Sequence, residues 1–307
     1  MRIASCLLVI SFAVTKMVQA QEVDLFAELE KESKKADSLR TEKVEATFKS
    51  TRLINGHTNE TTRKGILDFR IQHRFGFISN GAYDLFGLDQ ASMRMSFDYG
   101  ITDGIMVGVG RSTFEKQYDA FTKVRLLRQS KGLKAFPISV TYMGSVMYRT
   151  IKPPPTTYKR YWSDDMFFAH QLIIARKFND ALSLQIVPTV VHFNNVPLKT
   201  DKNDKLSLGI GGRQKISKRV SINAEYYYQL EQQAGYYNSF AIGFDIETGG
   251  HVFQLHFTNS TGMTERSFIH ETTGDFFGKG NIHFGFNFQR AFALKKSKGS
   301  RSGYKVS

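Results

Sequence analysis

From Ala46 to about Arg290 apolar and polar residues alternate with period two, and no stretch of that span carries helical spacing. In ILDFRIQHRFGF (66–77), Leu67, Phe69, Ile71, His73, Phe75 and Phe77 share one face, opposite Asp68, Arg70, Gln72 and Arg74. Successive side chains of a strand point to opposite sides, so this is a strand with one greasy and one charged face. QASMRMSFDY (90–99) repeats it, with Met93, Met95, Phe97 and Tyr99 against Ser92, Arg94, Ser96 and Asp98. The same pattern predicts strands at about 104–112, 118–128, 136–148, 165–177, 182–193, 205–215, 220–230, 238–247, 251–259 and 280–290. That makes about twelve strands of about ten residues, the length a tilted strand needs to cross a bilayer.

The links carry the most specific signal. Those after even-numbered strands are tight: 100–103, about 129–134, 178–181, 216–219 and 248–250. Those after odd strands run longer, for example 78–89, 149–164, 194–204 and 260–279. Short turns on one rim and long loops on the other predict an all-β fold, a transmembrane antiparallel up-and-down β-barrel of about 12 strands with a short N-terminal periplasmic segment. A soluble sandwich or lipocalin-like barrel also alternates, but it would have to bury about twelve apolar faces against one another. Lipid outside and water inside satisfy all of them at once, because closure leaves no open sheet edge in hydrocarbon. Tyr99, Tyr118, Tyr142, Tyr148, Tyr226 and Tyr228 fall toward strand ends or outward faces, as interfacial girdles require. Pro188, inside LSLQIVPTVVHF, lacks a ladder donor, so a bulge or interruption is expected there.

Outside the barrel, 66–294, four segments differ in character. Residues 1–20 read as a secretory signal peptide, with Arg2, the apolar run Cys6–Val14 and Val18-Gln19-Ala20 before Gln21. Residues 21–45 carry charge of both signs and read as a periplasmic helix or linker. Residues 46–65 contain the strand-like ATFKSTRLIN, which would make the count odd; they are placed as a periplasmic or lumen-entering segment, a candidate plug. Residues 295–307 form a basic tail of five cations and no acid, expected to be disordered. With both termini in the periplasm, the expected location is the outer membrane.

Composition removes several chemistries. The only cysteine, Cys6, lies in the leader, so disulfides, thiolate metal sites and cysteine nucleophiles are not expected in the mature chain. The 42 Lys+Arg against 28 Asp+Glu give +14, spread through strands and tail with no nucleic-acid module. Anionic lipopolysaccharide and outer-membrane lipids account for such a charge. The glycines of GIMVGVGRS alternate on the inward side of a strand and leave lumen space; they do not open a helix as a phosphate loop would.

The run TFKSTRLINGH into KGILDFRIQHRFG, then FGLDQASMRMSFDYGITDGIMVGVGRS and PTVVHFNN, resembles an uncharacterised family of predicted outer-membrane β-barrel proteins of Gram-negative bacteria. The likeness runs from about Thr47 to the last strand and implies a barrel in the outer membrane. It transfers no catalytic residues.

Candidate chemistry is therefore lumenal charge. Arg70, Arg74, Arg94, Lys123 and Arg125 come from neighbouring early strands; Glu225, Asp245 and Glu247 come from the opposite wall. Facing basic and acidic walls set a field across a narrow pore, and basic rings favour anions. The same residues equally describe an internal salt-bridge network filling a closed barrel. His256 and His283 are both inward; a metal would want a third ligand, with Asp68 or Glu271 nearest, and lumenal histidines bonded to Asn and Gln are the preferred reading. No metal or cofactor is expected. A lipid-face hydrolase would need a serine beside outward His170 or His192, and no outward serine sits convincingly next to either, so the chain is not expected to be an enzyme. The leading reading is a passive narrow channel for small polar or anionic solutes. The alternative is a closed barrel acting as a binding or scaffold protein for periplasmic or surface partners. Further expected partners are the barrel-assembly machinery and a periplasmic protein.

Overall fold

The computed structural model describes residues 41–294 apart from 134, 153–158, 197 and 249–250. The expected leader, most of the charged segment 21–45 and the basic tail lie outside the described residues. Two units are distinguished. In the first, Glu42–Lys43 pairs antiparallel with Ser130–Lys131, and the amide of Phe136 donates to the Ser130 hydroxyl.

The second unit is a closed antiparallel barrel of twelve strands. In chain order these are β1 Ile66–Phe77, β2 Ala91–Gly100, β3 Ile105–Ser112, β4 Gln117–Leu127, β5 Ser139–Arg149 and β6 Met166–Lys177. They continue as β7 Leu182–Phe193, β8 Asp204–Lys215, β9 Val220–Gln229, β10 Ser239–Thr248, β11 His251–Thr258 and β12 His283–Ala293. Each strand pairs with the next, and β12 returns to β1 through a bulge between His283 and Gly285. Closure leaves no open sheet edge in the barrel, as a hydrocarbon surrounding demands.

The faces follow the alternation. Asp68, Arg70, Gln72 and Arg74 of β1 are buried, while Phe97, Phe244 and Leu255 of other strands stand exposed on the outside. Three points depart from it. β5 starts at Ser139, not 136, because Pro137 has no ladder donor, and the link 128–138 is long where the pattern predicts a tight turn. The link 113–116 is short although it lies on the other rim. The division into a greasy outward and a charged inward face fails from β3 to β7, where Met106, Phe121, Met143, Met147, Phe167, Ala169, Ile173, Val187 and Val191 point inward and are buried. On β6, MFFAHQLIIARK, both faces are largely apolar, so period two alone cannot rank them.

β6 and β7 keep one register on both sides of Pro188, yet no pairing forms at Leu172/Pro188 or Ile173/Val187. The missing proline N–H accounts for the interruption. On its other edge Pro188 remains paired with Leu208 of β8.

Two segments outside the strands are buried within this unit. Residues 46–62 form an irregular hairpin that turns at Asn55-Gly56: the Leu53 amide donates to Gly56 O at 2.8 Å and the Thr58 amide to Thr51 O at 3.0 Å. The hairpin receives hydrogen bonds from β1, β4, β5, β7, β11 and β12, so it lies in the lumen and not in the sheet. From the long-loop rim, residues 260–272 fold inward and carry a short helix, α1 (Glu265–His270), all six residues of which are buried.

Candidate functional site

The hairpin tip is held by a carboxylate. Glu225 of β9 accepts from three consecutive amides, Ile54 at 3.3 Å, Asn55 at 2.7 Å and Gly56 at 3.1 Å. Only glycine fits at position 56, since a Cβ there would lie 1.9 Å from the hydroxyl of Tyr227.

Four of the five cations that the sequence places on the inward face also hold the hairpin. Arg70 donates to the Ser50 and Thr51 hydroxyls at 3.0 and 2.7 Å. Arg74 donates to Asn55 Oδ1 at 2.8 Å. Lys123 donates to the carbonyls of Thr51 and Glu60, and Arg125 pairs with the Glu60 carboxylate at 3.4 Å. Arg94 instead makes a two-point pair with Asp119 of β4 in the wall itself. Gly108 and Gly110 of β3 make the room: a Cβ on the first would strike the Phe121 ring, and on the second the Arg94 guanidinium. The lumen space expected from these glycines is therefore filled by side chains.

The acidic wall also faces the hairpin. Asp245 accepts from Gln254 Nε2, which also donates to Leu53 O. Glu247 pairs with Lys49 at the base of the hairpin at 2.6 Å. His256 is buried with neither ring nitrogen hydrogen-bonded. His283 bonds the Thr261 hydroxyl and the Phe75 carbonyl. Hydrogen bonding of both to Asn and Gln is thus corrected: the groups opposite them are a hydroxyl, a backbone carbonyl and a glycine, Gly285. Asp68 accepts from Gln289 and Glu271 pairs with Arg266, so neither joins the histidines; among the described residues no group of three such ligands is gathered. On the outer face His170 shares a 2.7 Å bond with the Tyr142 hydroxyl, and His192 one of 2.7 Å with Asp204.

Sequence reasoning missed the junction between hairpin and α1. Arg52 Nη1 and His57 Nε2 both lie 3.3 Å from Glu265 Oε1. Burial opposes ionisation of Glu265, but the Arg52 guanidinium beside it holds the carboxyl well below its usual range. Burial, reinforced by Arg52, pushes His57 well below the ordinary imidazole value, so His57 is neutral beside an Arg52–Glu265 ion pair. The signal that could have placed the turn is Asn55-Gly56, a strong turn dipeptide. Met263, Phe268 and Ile269, apolar within a loop, mark the inward segment.

The interior is rich in polar groups. Both carboxylate oxygens of Asp98, both ring nitrogens of His256 and the hydroxyls of Ser96 and Ser207 are buried without a protein partner. Below the hairpin, at the short-turn rim, a cavity of about 710 Å³ is lined by charged groups that include Lys49, Glu60, Asp68, Arg125 and Arg128.

Among solved structures the chain is similar to the NanC porin, at 8% identity and a TM-score of 0.44, over 73% of this chain and 98% of that one. It is similar to the KdgM porin at 9% and 0.44, over 74% and 99%. To Salmonella typhi OmpF, solved as a complex with daunomycin, the figures are 9% and 0.37, over 74% and 97%. No curated protein matches the sequence. Residues 48–292, well over half of the chain, match the model of a family described as "Membrane bound beta barrel domain (DUF5777)", and the protein belongs to that family.

Proposed function

We propose that the protein is an outer-membrane channel for small anionic solutes, with both termini in the periplasm, held shut by the hairpin 46–62 acting as a plug. One observation carries the reading: Arg70, Arg74, Lys123 and Arg125 spend hydrogen bonds on the hairpin. Withdrawing it leaves a row of cations facing enclosed water, which is what an anion-preferring constriction consists of. Polar side-chain contacts to backbone carbonyls and hydroxyls, in a hydrated lumen, exchange readily for water, so the plug is a removable element.

Planar-bilayer conductance tests this. Deleting 46–62 opens a current with anion preference, and deleting 262–272 as well increases it by removing α1. Arg74→Ala with Arg94→Ala then moves the reversal potential toward cations. A double-deletion protein that is folded, shown by different gel mobility with and without heating, yet passes no current would end the channel reading. A second reading, a permanently closed barrel that binds or scaffolds partners through its loops and periplasmic segments, is favoured by the Arg52–Glu265 junction that joins the plug to the opposite rim. That reading predicts no current from either deletion.

A further inference from the structure

At the long-loop rim the ends of β5 to β8 and the helix α1 surround a cavity of about 210 Å³. Four cations line it, Arg149, Arg160, Lys205 and Arg266, and Glu271 is the one acid among the lining residues. The three arginines are tied to carboxylates. Arg149 and Arg160 meet Asp165 at 2.7 and 2.8 Å, and Arg266 meets Glu115 and Glu271 at 2.5 and 2.6 Å. Glu115 also lies 3.5 Å from Arg149. Four cations thus stand against three acids, and the unmatched one is Lys205. It is only 8 % exposed, yet its ammonium makes no ion pair among the described residues. Its partners are both neutral: it donates to Gln233 Oε1 at 2.5 Å and lies 4.1 Å from the centre of the Phe193 ring. A buried charge without a counter-ion is expensive. Arg266, on the same cavity wall, keeps a buried donor, Nε, without a partner.

We propose that this cavity is a binding site for a small organic carboxylate of single negative charge, with Lys205 as its counter-ion. The valence follows from the charge balance: one surplus cation is neutralised by a monoanion, whereas a phosphate dianion overshoots it. The carboxylate follows from the donors, since an ammonium and a guanidinium N–H form charge-assisted bonds to its oxygens. The organic body follows from the rest of the wall, where Phe193, Val196 and Tyr236 offer apolar surface. The volume equals that of about seven waters at about 30 Å³ each, room for one small ring. Arg149, Arg160 and Gln233 are only partly covered, so a solute reaches the cavity from the rim. The inference goes beyond the channel reading: binding here needs neither an open lumen nor a displaced hairpin.

The experiment is isothermal titration calorimetry of the full-length protein in detergent micelles, with the heat of protein-free micelles subtracted. Benzoate binds at one site per chain. Benzamide, of the same shape without the charge, binds about tenfold more weakly or worse, and so does inorganic phosphate. Lys205→Met keeps an unbranched side chain without the charge and weakens benzoate about tenfold or more, the least that loss of a hydrogen bond from a charged group predicts. Lys205→Arg restores most of that loss. Val196→Trp fills the cavity without touching a charge, weakens benzoate to the same extent, and covers the case in which Lys205→Met does not fold. The proposal is overturned by the absence of benzoate binding, by benzamide or phosphate binding as tightly as benzoate, or by unchanged affinity in either folded variant. No current is read, so these outcomes leave the channel reading to its own test.

Discussion

Glu225→Ala is the sharpest probe of how the lumen is closed. In the folded protein one carboxylate accepts from the amides of Ile54, Asn55 and Gly56. Hydrogen bonds to a charged acceptor contribute about 1.5–3 kcal/mol each. Their simple sum overstates the effect, because truncation also relieves the burial of a charge and lumenal water re-solvates the freed amides. A net loss near the value of one such bond, about 3 kcal/mol, is expected, equivalent to about a 150-fold rise in the undocked population. Thiol labelling reads that population. The only native cysteine is Cys6, and Thr58, fully buried in the hairpin, is a suitable position for Thr58→Cys. A charged maleimide then reacts at a rate proportional to the time the hairpin spends outside. Glu225→Gln, which keeps one acceptor oxygen, gives an intermediate rate. An unchanged rate in Glu225→Ala, in protein whose gel mobility still shifts on heating, would refute the idea that the carboxylate anchors the hairpin.

Acid loosens the closed state: burial holds His57 well below its ordinary value and, with Lys205, lowers His270 to about 3, so both are neutral when packed and take up protons once released. A histidine with a depressed folded pKa adds stability that is complete above about pH 6.5 and is lost as pH falls below it, by about 1.4 kcal/mol per unit for each group. Glu271, raised by burial, works against this, and conductance that fails to rise between pH 7 and pH 5 counts against the two histidines as part of the latch. Gly56→Ala drives a Cβ into Tyr227, which is itself fixed edge-on against Phe268 at 5.0 Å; overpacking of about 1–3 kcal/mol raises Thr58→Cys labelling, and a native rate would show that the tip relaxes without undocking. Arg94→Ala strands Asp119 in the wall and costs about 3–5 kcal/mol, read as a lower temperature for the gel-mobility shift, whereas an unshifted temperature would mean that water solvates Asp119 fully.

Much of the barrel was legible because its strands combine period two with charge on one face. Nothing but an outward apolar and inward polar assignment suits ILDFRIQHRFGF, and its register places Arg70 and Arg74 in the lumen. Where both faces are apolar, as on β6, alternation is silent, and the inner cluster around Ile173 stayed hidden. What the inward cations bind was also out of reach. Lys123 meets the carbonyls of Thr51 and Glu60 across 72 and 63 positions of chain, a contact fixed by closure and not by any local pattern. ATFKSTRLIN carries strand propensity, yet every strand of the barrel already has two neighbours, so the segment finds its partners in side chains of the lumen.

The makeup of these contacts bears on whether the closed state is permanent. Apolar anchoring of the hairpin is confined to few side chains, chiefly Phe48 and Leu53 against Ala175, with Ile54 at the tip. The remainder are polar: neutral hydrogen bonds with a net worth of about 1 kcal/mol each, the charged Glu225 anchor at the tip, and the ion pairs of Lys49, Arg52 and Glu60. A hairpin held by a leucine-rich interface would stay for the lifetime of the fold. One held by Arg70 through two hydroxyls and by Arg74 through a single amide side chain is displaced by a solute that offers the same arginines a stronger acceptor. Carboxylates and phosphates are such acceptors, since charge-assisted bonds to guanidinium are roughly twice as strong as neutral ones. The cations that close the lumen are therefore also the groups through which an anionic solute would open it. Raising the concentration of a multivalent anion at fixed ionic strength should accelerate labelling of Thr58→Cys in the wild-type background and not in Arg70→Ala with Arg74→Ala.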